Sequence, residues 1–165
     1  TTILLRIFIA FFDSVVLSKA GARVKWNKCF KQEGESYRGE VRFSHTCAYE
    51  GTVFTVEGRA DGIFEENGGV CVDEIKTTAV PLELIDANFN RLHWAQAICY
   101  AYFYAAENQQ PEMKVRLTYF HIETEEIKRF IRSYSFAELE AFYYDLLHRY
   151  KVWADWQGDW TFLRN

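Results

Sequence analysis

The sequence is short of the residues that break or cross-link a chain. Only two of its 165 residues are proline, Pro81 and Pro111, and no Pro/Gly/Ser-rich linker occurs. One domain spanning 1–165, or a piece of a longer helicase–nuclease, is therefore expected. Four cysteines occur (Cys29, Cys47, Cys71 and Cys99), with no CxxC pair. That pattern excludes the usual zinc or iron–sulfur cage and the dense framework of a small secreted domain. Four reduced thiols in a cytoplasmic protein are expected. Positive charge is scarce as well. Nineteen Lys and Arg against 23 Asp and Glu give a net charge of −4, which excludes a protein that wraps nucleic acid by bulk charge. No apolar run is long enough to span a bilayer. Residues 3–17 come nearest, but they stop short of about 20 residues and contain Arg6 and Asp13. A buried or partner-facing helix over 3–18 and no membrane contact are expected.

The composition is otherwise that of a globular protein with a substantial core. Apolar residues make up 49%, charged residues 25% and aromatics a high 18%. Residues 19–40 have no organised pattern. A strand is expected over 41–49. Residues 52–65 and 70–77 alternate and flank Glu66-Asn67-Gly68-Gly69, a hairpin turn signal because Asn-Gly tolerates positive φ. An Ala- and aromatic-rich helix follows over 90–107. A second hairpin joins 114–122 to 126–134. Ser135 and Glu138 form a capping box that opens a last helix to about residue 156. Strands alternate with helices, so the fold class is α/β with a mixed central sheet flanked by helices.

The first hairpin carries the chemistry. A two-residue loop at Asn67-Gly68 puts Glu66 opposite Gly69, and the same register puts Asp61 opposite Glu74. Two carboxylates facing each other in an apolar hairpin repel unless a cation lies between them. A hard ion such as Mg²⁺ takes carboxylate oxygens at about 2.1 Å. Lys76 shares the face of Glu74, with Arg59 as its cross-strand neighbour, whereas Asp73 points the other way. A bulge or a three-residue loop would exchange the roles of Asp73 and Glu74. On the following helix Gln96 and Tyr100 are four apart and share one face, with His93 and Tyr104 near that stripe.

These residues resemble a known pattern. Gly58-Arg59-Ala60-Asp61, then Val72-Asp73-Glu74-Ile75-Lys76-Thr77-Thr78, then Gln96 to Tyr100 look like the core of PD-(D/E)XK nucleases of the RecB-like branch. Among these, the wording is most similar to nuclease domains linked to bacterial DinG/XPD-like helicases. The resemblance covers about residues 52–134. It implies a restriction-endonuclease-like fold and a Mg²⁺- or Mn²⁺-dependent deoxyribonuclease, an exonuclease acting in DNA repair or processing. Asp61, Glu74 and the backbone carbonyl of Ile75 would hold the metal. Asp61, Glu74 and Lys76 would be the catalytic set, with Lys76 positioning the attacking water. Gln96 and Tyr100 would touch substrate.

Single-stranded DNA ends or flaps are the implied substrate, and an ATP-driven helicase, in cis or in trans, the implied partner. The chain departs from the pattern in one place: Arg38 stands where an upstream GxxxH motif would put histidine. No cysteine follows Cys99, so no iron–sulfur cluster is expected. A rival reading keeps the fold and drops the chemistry: a catalytically silent domain of this superfamily that binds DNA or docks a helicase.

Overall fold

A computed structural model describes residues 2–6 and 36–162, with side chains from 36 to 156. Six strands and two helices follow in the order β1 (Thr2–Arg6), β2 (Arg38–Tyr49), β3 (Thr52–Glu66), β4 (Gly69–Thr78), α1 (Arg91–Asn108), β5 (Glu112–His121), β6 (Ile127–Ser135) and α2 (Phe136–Phe162). A short 3₁₀ turn at Leu82–Leu84 lies between β4 and α1.

Two tight turns build the first half of the sheet. Glu50 and Gly51 both take positive φ (46° and 75°), and Tyr49 then pairs with Thr52. Asn67 and Gly68 do the same (52° and 76°), and Glu66 pairs with Gly69. Paired positive-φ residues match the right-handed twist of the strands they join, so each turn fixes its register. The second is the hairpin expected from Asn-Gly, in the expected register.

The sheet is mixed, in the order β1-β3-β4-β5-β6, with β2 on the other edge of β3. β4 and β5 run parallel and are connected through α1; β5 and β6 are antiparallel. β5 is buried along most of its length and β4 from Val70 to Glu74, as befits the centre of such a sheet. α1 packs across one face, against β4 and β5 and also β2 and β3, and α2 lies beside α1 and against β6. The architecture is a restriction-endonuclease-like α/β fold, as the sequence leads one to expect.

Capping sets the helix ends. The Asn90 side chain accepts the Leu92 N–H at 2.9 Å, and Gln109 closes α1 in a left-handed conformation. Ser135 and Glu138 form the expected capping box: the Ser135 N–H donates to Glu138 Oε2 at 2.8 Å, and the Glu138 N–H to Ser135 Oγ at 3.3 Å. The Ser135 N–H, with the Ser135 hydroxyl that donates to the same oxygen at 2.8 Å, holds the Glu138 carboxyl below its ordinary range.

The N-terminal expectation needs correction. Thr2–Arg6 is a strand, paired in parallel with Val53–Glu57, and not the first turn of a helix. A β-branched and leucine-rich run without helical periodicity serves equally well as a strand once a neighbouring strand offers its edge. The rest of the expected helix, and residues 19–35, lie outside the described residues. No described helix is long and apolar enough to cross a membrane, which says nothing of β-barrels.

Candidate metal-ion site at a fork in the sheet

β3 is longer than either strand on its second edge. β1 accompanies it from Val53 to Glu57, and β4 joins only at Gly62. Among the described residues, 58–60 pair with β2 on one side, and on the other edge residues 58–61 form a gap between the β1 pairing and the β4 pairing. β2 kinks at the same level, where Glu40 takes φ 54° and neither Glu40 nor Asp61 joins the ladder. Gly58 lies against Tyr100 of α1, whereas Gly62 lies under the Tyr37 ring, alongside its pairing partner Asp73.

Side chains fill the gap. Asp61 Oδ2 accepts the Ile75 N–H at 2.7 Å, so the Asp61 carboxylate reaches across to β4. Tyr100 Oη accepts the Arg59 N–H at 3.2 Å. Glu74, one residue past the last ladder pair, is only 2% exposed. Its Oε1 meets Lys76 Nζ at 2.9 Å. Its Oε2 is buried and has no hydrogen-bond partner among the described residues. Lys76 Nζ also donates to Gln96 Oε1 at 3.1 Å, and Gln96 Nε2 to Tyr100 Oη at 3.4 Å. A lysine can only donate, so Gln96 must turn its oxygen to Lys76 and its amide to Tyr100. Tyr100 Oη then accepts twice, and its own proton is left to donate.

The electrostatics follow from burial. Desolvation, then the charge of Asp61, pushes the Glu74 carboxyl up to about 8 despite Lys76. Desolvation likewise raises Asp61 to about 6, opposed by the Ile75 N–H and by Lys76. Burial lifts the Tyr100 phenol to about 12, so it stays protonated. His93 is pushed down to about 4 by burial, then by the Lys76 charge. Its ring nitrogens are engaged by Tyr119 Oη (2.9 Å) and Asn90 Nδ2 (3.1 Å), so it is a neutral spacer beside the site.

Asp61, Glu74, Lys76, Gln96 and Tyr100 thus come together. The geometry differs from a simple facing pair. The ladder stops at Gly62–Asp73, one step before Asp61 and Glu74, and Asp61 engages the backbone of Ile75. The β3–β4 ladder ends before it reaches Arg59 and Lys76. Arg59 pairs with Arg42 of β2 and forms an ion pair with Glu40 at 3.4 Å. Arg38, at the position where the resemblance would put histidine, donates to Tyr104 Oη at 3.2 Å. Among the described residues no group of three or more His, Cys, Asp or Glu side chains comes together. The candidate cation site is the carboxylate pair alone.

Asp73 points away from Glu74, as the register requires. It is 1% exposed and holds a network that sequence reasoning missed: Arg116 Nη2 at 2.7 Å, Thr118 Oγ1 at 2.7 Å and Tyr37 Oη at 3.1 Å. The signal was available in part. Arg116 and Thr118 are two apart and alternate with Val115, Leu117 and Tyr119 along an expected strand, and a buried arginine needs an acid.

No family model and no curated protein matches the chain. Among solved structures, one described as the crystal structure of SSO0001 matches with a TM-score of 0.52 and 22% identity. The match covers 78% of this chain and 59% of that one, so the chain spans well under two thirds of that structure's length. A likeness of this kind shows the fold alone.

Proposed function

We propose that this chain is a PD-(D/E)XK nuclease domain of the RecB-like kind, a Mg²⁺- or Mn²⁺-dependent deoxyribonuclease that hydrolyses phosphodiester bonds. One observation carries the reading: a buried Glu74 carboxylate keeps an unpartnered oxygen in a sheet gap beside the Asp61 carboxylate. Burying an acid so costs stability unless a cation claims it. Oxygen ligands from two carboxylates, with open positions left for water, suit a hard divalent ion.

In this reading Asp61 and Glu74 hold the ion, with the Ile75 carbonyl as a further ligand. The ion supplies Lewis-acid polarisation of the phosphate and a more acidic bound water. Lys76 gives a fixed positive charge for the attacking water and the developing phosphate charge. Gln96 keeps the Lys76 ammonium in place. The Tyr100 hydroxyl, with both lone pairs filled, offers its proton to a phosphate oxygen.

The net charge of −4 gives little long-range grip on DNA. Single-stranded ends or flaps, delivered by an ATP-driven helicase in cis or in trans during repair or processing, are the substrate proposed. A cytoplasmic setting agrees with the free thiols at Cys47, Cys71 and Cys99. The silent-domain alternative draws on Lys76 already neutralising Glu74 and on the absence of a third His, Cys, Asp or Glu side chain beside the pair among the described residues.

The test is cleavage of end-labelled single-stranded and flapped DNA in Mg²⁺ or Mn²⁺, with wild type and Asp61→Asn side by side. Metal-dependent cleavage lost in the variant supports the nuclease. DNA binding without cleavage, in either metal and with a helicase supplied, transfers the case to the silent domain.

A further inference from the structure

Glycine inside a strand weakens it and calls for a reason. Gly58 sits within β3, at the start of the gap, and its reason is steric. A Cβ built there would lie 2.5 Å from Tyr100 Cε1, 2.8 Å from its Oη and 3.0 Å from its Cζ. The Tyr100 ring is not a flexible end that can swing aside. It is 1% exposed and stacks on Phe43 (ring centroids 5.9 Å apart, 18° between planes), and Phe43 is the cross-strand partner of Gly58. The ring is therefore wedged against the β3 backbone, where its hydroxyl accepts the Arg59 N–H. One helical turn earlier, Gln96 links that hydroxyl to Lys76.

We infer that Gly58 is a positioning residue for Lys76: a seat only glycine can provide, which docks Tyr100 on β3 and so fixes the Gln96 arm holding the ammonium. The inference rests on the nuclease reading only for what Lys76 does; the docking itself stands apart from it. A side chain at residue 58 must lift the ring or α1. Either movement stretches a 3.4 Å and a 3.1 Å contact in series, while Asp61 and Glu74, both on the sheet, keep their places.

The experiment is a double-mutant cycle with Gly58→Ala, Tyr100→Leu and the pair, with Tyr100→Phe as control. Three quantities are read: hydrogen exchange of the Arg59 amide, the ¹⁵N signal of the Lys76 ammonium, and Mn²⁺ affinity. Gly58→Ala should speed Arg59 exchange and shift or broaden the Lys76 signal, leaving Mn²⁺ affinity within about twofold. Where wild type cleaves DNA, kcat should fall about a hundredfold, the scale for a catalytic group misplaced by about 1 Å, with KM little changed. In the Tyr100→Leu background the same Gly58→Ala change should do almost nothing, because residues in contact couple non-additively.

If Gly58→Ala fails to fold, its pairing with Tyr100→Leu should restore folding. Combining it with Tyr100→Phe, which keeps the ring, should not. The inference is overturned if Gly58→Ala leaves Arg59 exchange and the Lys76 signal as in wild type. It is equally overturned if the substitution is as harmful with leucine at position 100 as with tyrosine. A wild type that cleaves nothing defeats the nuclease reading, while the exchange and ammonium signals still decide the seat.

Discussion

Asp61 Oδ2 accepts the Ile75 N–H at 2.7 Å, so a side chain takes the place that a strand's backbone would occupy where β3 and β4 part. That bond makes the carboxylate part of the sheet and leaves its other oxygen for a ligand. Asp61→Asn is expected to abolish metal-dependent cleavage and the rise in melting temperature on adding Mn²⁺. Glu74→Gln should do the same. A metal-induced rise that survives both substitutions would place the ion elsewhere; thermal melts with and without Mn²⁺ measure it directly.

Lys76 should separate chemistry from metal binding. Its ammonium cannot be a ligand, so Lys76→Ala should lose cleavage by about a hundredfold or more while still binding Mn²⁺. Removing the charge that neutralises Glu74 should even favour the ion. Titration calorimetry with Mn²⁺ checks this, and lost affinity in the variant would contradict the assignment.

Both acidic groups have folded-state pKa values raised above the ordinary, to about 6 for Asp61 and about 8 for Glu74. A raised folded pKa contributes stability that is complete below the unfolded value and lost as pH rises through the folded one. The metal-free protein should therefore lose stability between about pH 4 and pH 8.5, and Mn²⁺ should offset the loss most at the alkaline end. Glu74→Gln should flatten the upper part of that slope. Urea melts across the range, with and without metal, give the comparison. A metal-free slope unchanged by Glu74→Gln would refute the buried, raised acid.

Asp73 faces away from Glu74, and on that ground alone Asp73→Asn would be a mild substitution. It faces, however, into a buried pair with Arg116. Removing one charge leaves the other uncompensated, which typically costs about 3 to 5 kcal/mol. Urea denaturation should show a loss of that order. Mn²⁺ affinity of the protein that remains folded should be close to wild type, and a selective loss of affinity would instead assign Asp73 to the ion.

How much could be read from the chain depended on how local the cause was. The Asn67-Gly68 turn fixes its own register, so the placement of Asp73 and Glu74 on opposite faces followed from a few adjacent residues. Gln96 and Tyr100 share a face because a helix has one period. The fork did not follow, because it depends on where β1 and β4 pair along the same edge of β3, a relation between segments distant in sequence. The left-handed Glu40 carries no signature, since glycine or asparagine is the residue that usually marks such a φ. Thr2–Arg6 misled because a short apolar run suits a strand or a buried helix until its neighbour is known.

The gap in β3 also bears on solubility. An interrupted edge inside a sheet exposes donors and acceptors that another extended chain can pair with, the usual route to aggregation. Here the Tyr100 hydroxyl blocks the Arg59 amide, and the Asp61 carboxylate blocks that of Ile75. The residues proposed to hold the ion and to touch DNA are thus also the ones that keep the open seam from acting as an adhesive. Either residue then has a reason to be kept that is independent of any cleavage, because the seam must stay plugged whether or not the domain cuts.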